Sequence, residues 1–149
     1  MALDHSPQAR GKRSRNKGKL GEREIIDMLQ PIVDDVYDAH GIDAPRLQRN
    51  LLQSDKGGCD VFGLEWIAPE VKRAETLALA KWWTQTVEQA GSTKIPVLFY
   101  RPSRSAWQVR MVVTLCPGCT TVATVGIDDF LVWFRMRLAQ EVSHGQTTG

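Results

Sequence analysis

No stretch of this 149-residue sequence approaches the roughly 20 consecutive apolar residues needed to span a bilayer. No secretory leader is visible, because the N-terminus is basic and polar with no apolar segment behind it. Cysteine is scarce and odd in number, three in all, which argues against a disulfide framework and for a reducing, cytoplasmic compartment. There is no internal repeat and no low-complexity block, which excludes a repeat architecture. Acidic residues are missing from residues 10–19, where six of ten side chains are basic. The rest of the chain carries 13 basic and 17 acidic residues, so the overall charge of +2 hides a local cluster on a mildly acidic body. Such a cluster points to an anionic polymer as partner, a solubilising tail being the plainer alternative. What is present is otherwise ordinary. Apolar content of 42% and charged content of 24% suit one soluble domain with one core.

Patterning divides the chain. Residues 1–17 read as a flexible basic arm, 18–142 as one domain and 143–149 as a disordered tail. Ile25, Ile26, Leu29, Ile32, Val33 and Val36 recur at helical spacing from about Gly18, with a kink or break expected at Pro31 and a stop near His40-Gly41. Residues 46–53 suit a short strand, and 54–58 a turn. Residues 60–66 and 67–73 read as two strands joined tightly. Pro69 implies a bulge or an unpaired edge there. A helix is expected over 75–90, burying Leu77, Ala80, Trp83 and Val87. Strands follow over 95–100 and 106–115, the second with Trp107, Val109, Met111 and Val113 on one face. A last helix runs over 128–140, opened by Asp128-Asp129 at its positive end. The sum is a small α/β domain around one mixed sheet.

The chemistry concentrates at Gly57-Gly58-Cys59-Asp60 and Glu70-Val71-Lys72. Residues two apart on a strand share a face, so Glu70 and Lys72 project together. If Asp60 starts the neighbouring strand, two carboxylates and an ammonium converge. Paired carboxylates can hold a hard divalent cation, and a lysine beside them can orient a water or offset developing charge. The glycine pair permits close approach of another backbone. Glu22, in the first helix, either supplies a third carboxylate or stabilises the helix dipole, a part Glu24 could equally play.

Lys-Gly-x-x-x-Glu-Arg at 17–23, Gly-Gly-x-Asp at 57–60 and Glu-x-Lys at 70–72 together resemble the PD-(D/E)XK nuclease superfamily. Within it, the likeness is to archaeal-type and phage Holliday junction resolvases. The resemblance covers residues 17–113 and implies a restriction-endonuclease-like αβββαβ core, a central mixed sheet flanked by helices. It implies Mg²⁺ or Mn²⁺ held by Asp60, Glu70 and the Val71 carbonyl, with Glu22 completing the acidic cluster directly or through water. Lys72 would position the attacking water and counter negative charge. Gln85 resembles a glutamine that supports the site, an ordinary exposed helix residue being the alternative. Arg49 resembles a phosphate-contacting residue. With Arg10, Lys12, Arg13, Arg15, Lys17, Lys19, Lys56 and Arg73 it forms the expected DNA-binding set. The implied partner is DNA, branched by preference, and the implied assembly a homodimer in a prokaryotic or phage-infected cytoplasm, with no membrane. Two departures stand out: Pro69 replaces an apolar strand residue, and the connection from Asp60 to Glu70 is short. A restriction-like or repair nuclease is the alternative, or a nucleic-acid-binding protein without catalysis.

Cys116-Pro-Gly-Cys119 has the spacing of half a zinc knuckle, but a second ligand pair is not nearby in sequence, so a turn before the last helix is expected. Trp82, Trp83, Trp107 and Trp133 sit at positions suited to a core or interface, stacking on bases being the alternative. Phe130, Leu131, Phe134 and Leu138 form a stripe for the sheet or a second subunit.

Overall fold

A computed structural model describes residues 7–51 and 58–147. The elements run α1 (Pro7–Ala39), β1 (Gln48–Arg49), β2 (Val61–Phe62), β3 (Ile67–Arg73), α2 (Leu79–Ala90), β4 (Ile95–Arg101), β5 (Gln108–Cys116), β6 (Cys119–Gly126) and α3 (Ile127–Thr147). Four strands form a mixed sheet in the order β3-β4-β5-β6, and β1 and β2 form a separate antiparallel pair. β3 and β4 are parallel, and the remaining pairs are antiparallel.

α1 buries Ile25, Leu29, Ile32, Val33 and Val36, a stripe at helical period. It is one helix through Pro31, so the expected break does not occur. Pro31 lies on the exposed face, and the carbonyl it cannot bond belongs to Asp27, also exposed. The helix stops as expected. The Gly41 N–H donates to the Asp38 carbonyl at 3.0 Å and the Ile42 N–H to the Tyr37 carbonyl at 3.2 Å, a Schellman closure.

Both ends of the chain differ from expectation. Residues 7–17, expected as part of a flexible arm, form the first turns of α1. α3 continues through Ser143 to Thr147 instead of fraying. Its last turns are tied to the end of α1: His40 Nε2 meets Ser143 Oγ at 3.2 Å, and Gln146 Nε2 donates to the His40 carbonyl at 3.1 Å.

Alternation along the strands sorts the layers. Ile67, Val71, Val97, Phe99, Val109 and Met111 join α1 and α3 in the main core, which includes Phe130, Phe134 and Leu138. The stripe on α3 therefore buries against its own sheet, and Trp107 is core. Trp66, Phe130, Trp133 and Phe134 form a ring cluster with centroids 5.5–6.3 Å apart. α2 packs on β3 and β4, where Ala68 and Ala90 form a small cluster with Cys59. Its phase differs from expectation. α2 starts at Leu79 and buries Thr86 and Ala90, leaving Leu77 and Val87 exposed and Trp83 half-buried.

The middle of the chain holds the largest departures. The strands expected over 46–53 and 60–66 shrink to two residues each. Residues 52–57, including most of the expected turn, lie outside the described residues. After Cys116 the chain makes a further strand, β6, before the last helix. The turn at Pro117-Gly118 therefore joins two strands rather than a strand and a helix.

Two short braces position the segment between α1 and β3. Gln30 Oε1 accepts from the Leu47 N–H at 2.8 Å, and Gln30 Nε2 donates to the Pro45 carbonyl at 3.0 Å. Gly63 has φ +130°, and a Cβ there would lie 2.8 Å from Leu47 Cδ2. Gly63→Ala is therefore expected to destabilise the fold by about 1–3 kcal/mol. Urea unfolding checks this; a loss below about 0.5 kcal/mol, the range of an ordinary surface change, would contradict it.

Candidate active site at the open edge of strand β3

β3 is an outer strand of the four-stranded sheet, bonded to β4 on one side only. Asp60 occupies part of its open edge. The Asp60 N–H donates to the Pro69 carbonyl at 2.9 Å, and Asp60 Oδ2 accepts from the Val71 N–H at 2.7 Å. The N–H and C=O of one strand residue project to the same edge, so the Val71 carbonyl faces this side too. Pro69 is explained likewise. Its missing N–H lies on the open edge, and the β3–β4 register runs unbroken from Ile67 to Arg73. The unpaired edge expected at Pro69 is present, and no bulge is needed.

Asp60 is held from behind by Asn50. The Asn50 N–H donates to the Asp60 carbonyl at 2.8 Å, and Asn50 Nδ2 donates to the Cys59 carbonyl at 3.0 Å. Asn50 is buried. Sequence reasoning missed it, since an asparagine at the end of a basic and apolar segment carries no pattern.

Glu70 and Lys72 share the face of β3 that α2 covers, as alternation demands. Glu70 is 0% exposed. Lys72 Nζ lies 2.7 Å from Glu70 Oε1 as an ion pair, off hydrogen-bond alignment. Among the described residues neither oxygen of Glu70 has a hydrogen-bond partner. Burying such a carboxylate costs several kcal/mol unless something compensates. Asp60 responds to the crowding. Its carboxyl is pushed from the usual 3.8 up to about 7, first by burial, then by the charge of Glu70 and, more weakly, of Glu22. The Val71 N–H and the Lys72 ammonium pull the other way. The two carboxylates therefore lie close enough for their charges to interact, with the Lys72 ammonium on Glu70.

Glu22 belongs to the periphery. α1 begins fifteen residues earlier, at Pro7, so neither Glu22 nor Glu24 sits in a first turn and the helix-dipole role falls away. Arg49 Nε donates to Glu22 Oε2, and both side chains are largely buried. Arg49, expected on phosphate, is thereby engaged. Among the described residues no three His, Cys, Asp or Glu side chains gather closely enough to hold one ion. Glu22 is therefore not a third direct ligand in this arrangement, and its charge reaches Asp60 through space. Glu24 is fully occupied: Arg73, Arg101 and Trp107 donate to it at 3.2, 2.8 and 2.8 Å. Arg73 is consequently part of a structural clamp. Gln85 lies half-buried on α2.

Of the remaining expected DNA-binding residues, Arg15 and Lys19 are exposed on α1, and Lys17 pairs with Glu75 at 2.7 Å. Arg10, Lys12 and Arg13 belong to the first turns of α1, and Lys56 lies outside the described residues. A cavity of about 670 Å³ is lined by Tyr37, Asp43, Trp66 and Glu141 among others and contains none of the carboxylates discussed. Among the described residues no helix is long and apolar enough to cross a membrane.

Oxygen donors suit a hard cation, and Mg²⁺ is commonly held by only one or two carboxylates plus water. Asp60, Glu70 and the Val71 carbonyl fit that demand, and the oxygens of Glu70, which lack hydrogen-bond partners among the described residues, are what such an ion would satisfy. Comparison with family models, curated proteins and solved structures finds no match.

The raised carboxyl of Asp60 fixes a sign. Its folded pKa lies above the unfolded one, so its stabilising contribution is complete below about pH 4 and is lost as pH rises towards about 7. Asp60→Asn keeps an acceptor for Val71 and removes the titration. Wild type is therefore expected to lose up to about 4 kcal/mol relative to this variant across that range. Urea unfolding from pH 4 to pH 8 without divalent ions measures it, and a flat or inverted difference would contradict the assignment.

Proposed function

We propose that this chain is a metal-dependent DNA endonuclease on the PD-(D/E)XK plan, with Asp60, Glu70 and Lys72 as its site. The observation that carries the proposal is Glu70. It is wholly buried, and among the described residues its oxygens lack hydrogen-bond partners, beside an Asp60 whose ionisation it opposes. Burying two carboxylates together is costly and serves no evident packing purpose. Two carboxylates buried side by side, one opposing the ionisation of the other, are an arrangement that functional sites favour.

Asp60 and Glu70, with the Val71 carbonyl, would hold Mg²⁺ or Mn²⁺. The ion, when bound, acidifies water and offsets charge on phosphoryl oxygens. Lys72 keeps its ammonium on Glu70, where it can orient an attacking water and counter charge developing on the phosphate. Asn50 and the edge of β3 hold Asp60 in place. Glu22, steadied by Arg49, adds negative potential and can reach the site through water. Gln85 on α2 is a supporting residue at most. The family likeness implies products with a 5′-phosphate and a 3′-hydroxyl.

α1 gives the substrate a path. Arg15 and Lys19 precede Glu22 by seven and three residues, hence share its side of the helix. The basic turns and Glu22 are parts of one continuous helix, so a phosphate backbone following the cations is led toward Glu22 and the side of β3 that Asp60 covers. The same likeness favours branched DNA, which a homodimer would match by its own two-fold symmetry.

Cleavage of labelled four-way junctions and of linear duplex, in Mg²⁺, tests the proposal. Asp60→Asn and Glu70→Gln should each lower turnover by about 100-fold or more, with salt-dependent binding retained. Retained turnover in either variant would remove the site; binding without cleavage in wild type would leave a nucleic-acid-binding protein. Arg15→Ala with Lys19→Ala should instead weaken binding and lower the salt slope by about 2. Filter binding across a salt series reads that slope, and an unchanged value would take α1 out of the interface.

A further inference from the structure

The β5–β6 hairpin stands apart from the carboxylate site in chemistry. Residues 112–126 carry no charged side chain, in a chain that is 24% charged. At its tip Cys116 and Cys119 are both free and exposed, and they are register partners across the turn. Directly opposed residues of an antiparallel pair present their side chains on one face, with Cβ atoms about 5 Å apart.

Three local features produce that pairing. Pro117 sets the first corner of the turn, and Gly118, at φ +77°, supplies the second. The register slips by one between Thr114 and Cys116. Without that bulge, Leu115 would stand opposite Cys119. The bulge sets Cys116 there instead, so the two thiols meet.

Two thiolates on a tight turn are half of a tetrahedral zinc site. Among the described residues the other half is not within reach: no three potential ligands gather at one place. His40 is already engaged with the Val36 carbonyl and Ser143. A two-fold axis through the tip supplies the missing pair as the same two cysteines of a second copy. We propose that the hairpin tip is half of an intermolecular Cys₄ zinc site that joins two chains.

The surroundings suit a second copy. Two uncharged hairpins approach without like-charge repulsion. Leu115, next to the thiols, is 68% exposed. Val112 and Val122, cross-strand partners on the open side of the hairpin, are exposed as well. Joining two tips covers part of this apolar surface.

The test uses the full chain, purified reduced and titrated with Zn²⁺ and with Co²⁺. Expected are one metal per two chains, a cobalt spectrum with thiolate charge-transfer bands of a tetrahedral centre, and a dimer in sedimentation equilibrium that a chelator dissociates. Cys116→Ser and Cys119→Ser, both exposed and checked for folding by circular dichroism, should each weaken zinc binding by more than the roughly 10–100-fold that losing an outer-shell partner costs. The inference fails if one metal binds per chain without dimerisation, or if no thiolate band forms. It also fails if dimers persist in chelator and in both serine variants, or if Cys116 and Cys119 close a disulfide with each other and exclude metal. None of these results alters the case for Asp60 and Glu70, which rests on cleavage.

Discussion

The open edge of β3 is covered by one aspartate, and the site is arranged around that contact. A strand paired on one side only leaves a row of N–H and C=O groups exposed. Asp60 takes two of them, with its own N–H on the Pro69 carbonyl and its carboxylate on the Val71 N–H. The carboxylate is thereby located by main-chain geometry on either side of Glu70. Gln30, through Leu47, and Asn50, through the Asp60 carbonyl, brace it from the helix side. Pro69, which has no N–H to leave unbonded, is well placed at the centre of this edge.

Two glutamates differ in how the protein meets their charge. Glu24 receives three donors, from Arg73, Arg101 and Trp107, and so pins α1 to the sheet. Glu70 is more deeply buried and, among the described residues, receives only the Lys72 ammonium, as an ion pair. A fully satisfied carboxylate rigidifies a fold; one left short of partners beside another carboxylate is a stored cost. Such local conflict with good packing is expected where binding or catalysis requires it. Asp60 expresses the conflict as a proton held to near neutrality, and a bound divalent ion would relieve it.

Much of the frame was legible because it depends on local rules. Helical spacing marked the buried stripe of α1 from Ile25 to Val36, and alternation marked Trp107, Val109 and Met111 as core. Glu70 and Lys72 had to share a face once residues 67–73 were a strand. Asp60 was legible only by its place before an apolar run. Other features depended on partners distant in sequence. The pairing of Arg49 with Glu22 joins residues 27 apart, and the Glu24 clamp joins residues up to 83 apart. β6 lay outside the expected elements although its Thr-Thr-Val-Ala-Thr-Val run is rich in β-branched residues, because only the turn at Cys116–Cys119 and the helix opened by Asp128-Asp129 carried local signals. The first turns of α1 were not legible, because a basic run containing Gly11 and Gly18 has weak helix propensity at the glycines, whereas the chain forms one helix from Pro7 to Ala39. Pro31 did not break that helix because its missing bond faces water.

The direct test of the central claim is anomalous diffraction from crystals soaked in Mn²⁺. Convergence of Asp60 and Glu70 predicts a manganese peak within coordination distance of both carboxylates, absent from crystals of Asp60→Asn. A peak elsewhere, or an empty site with the two carboxyl groups turned apart, would contradict it.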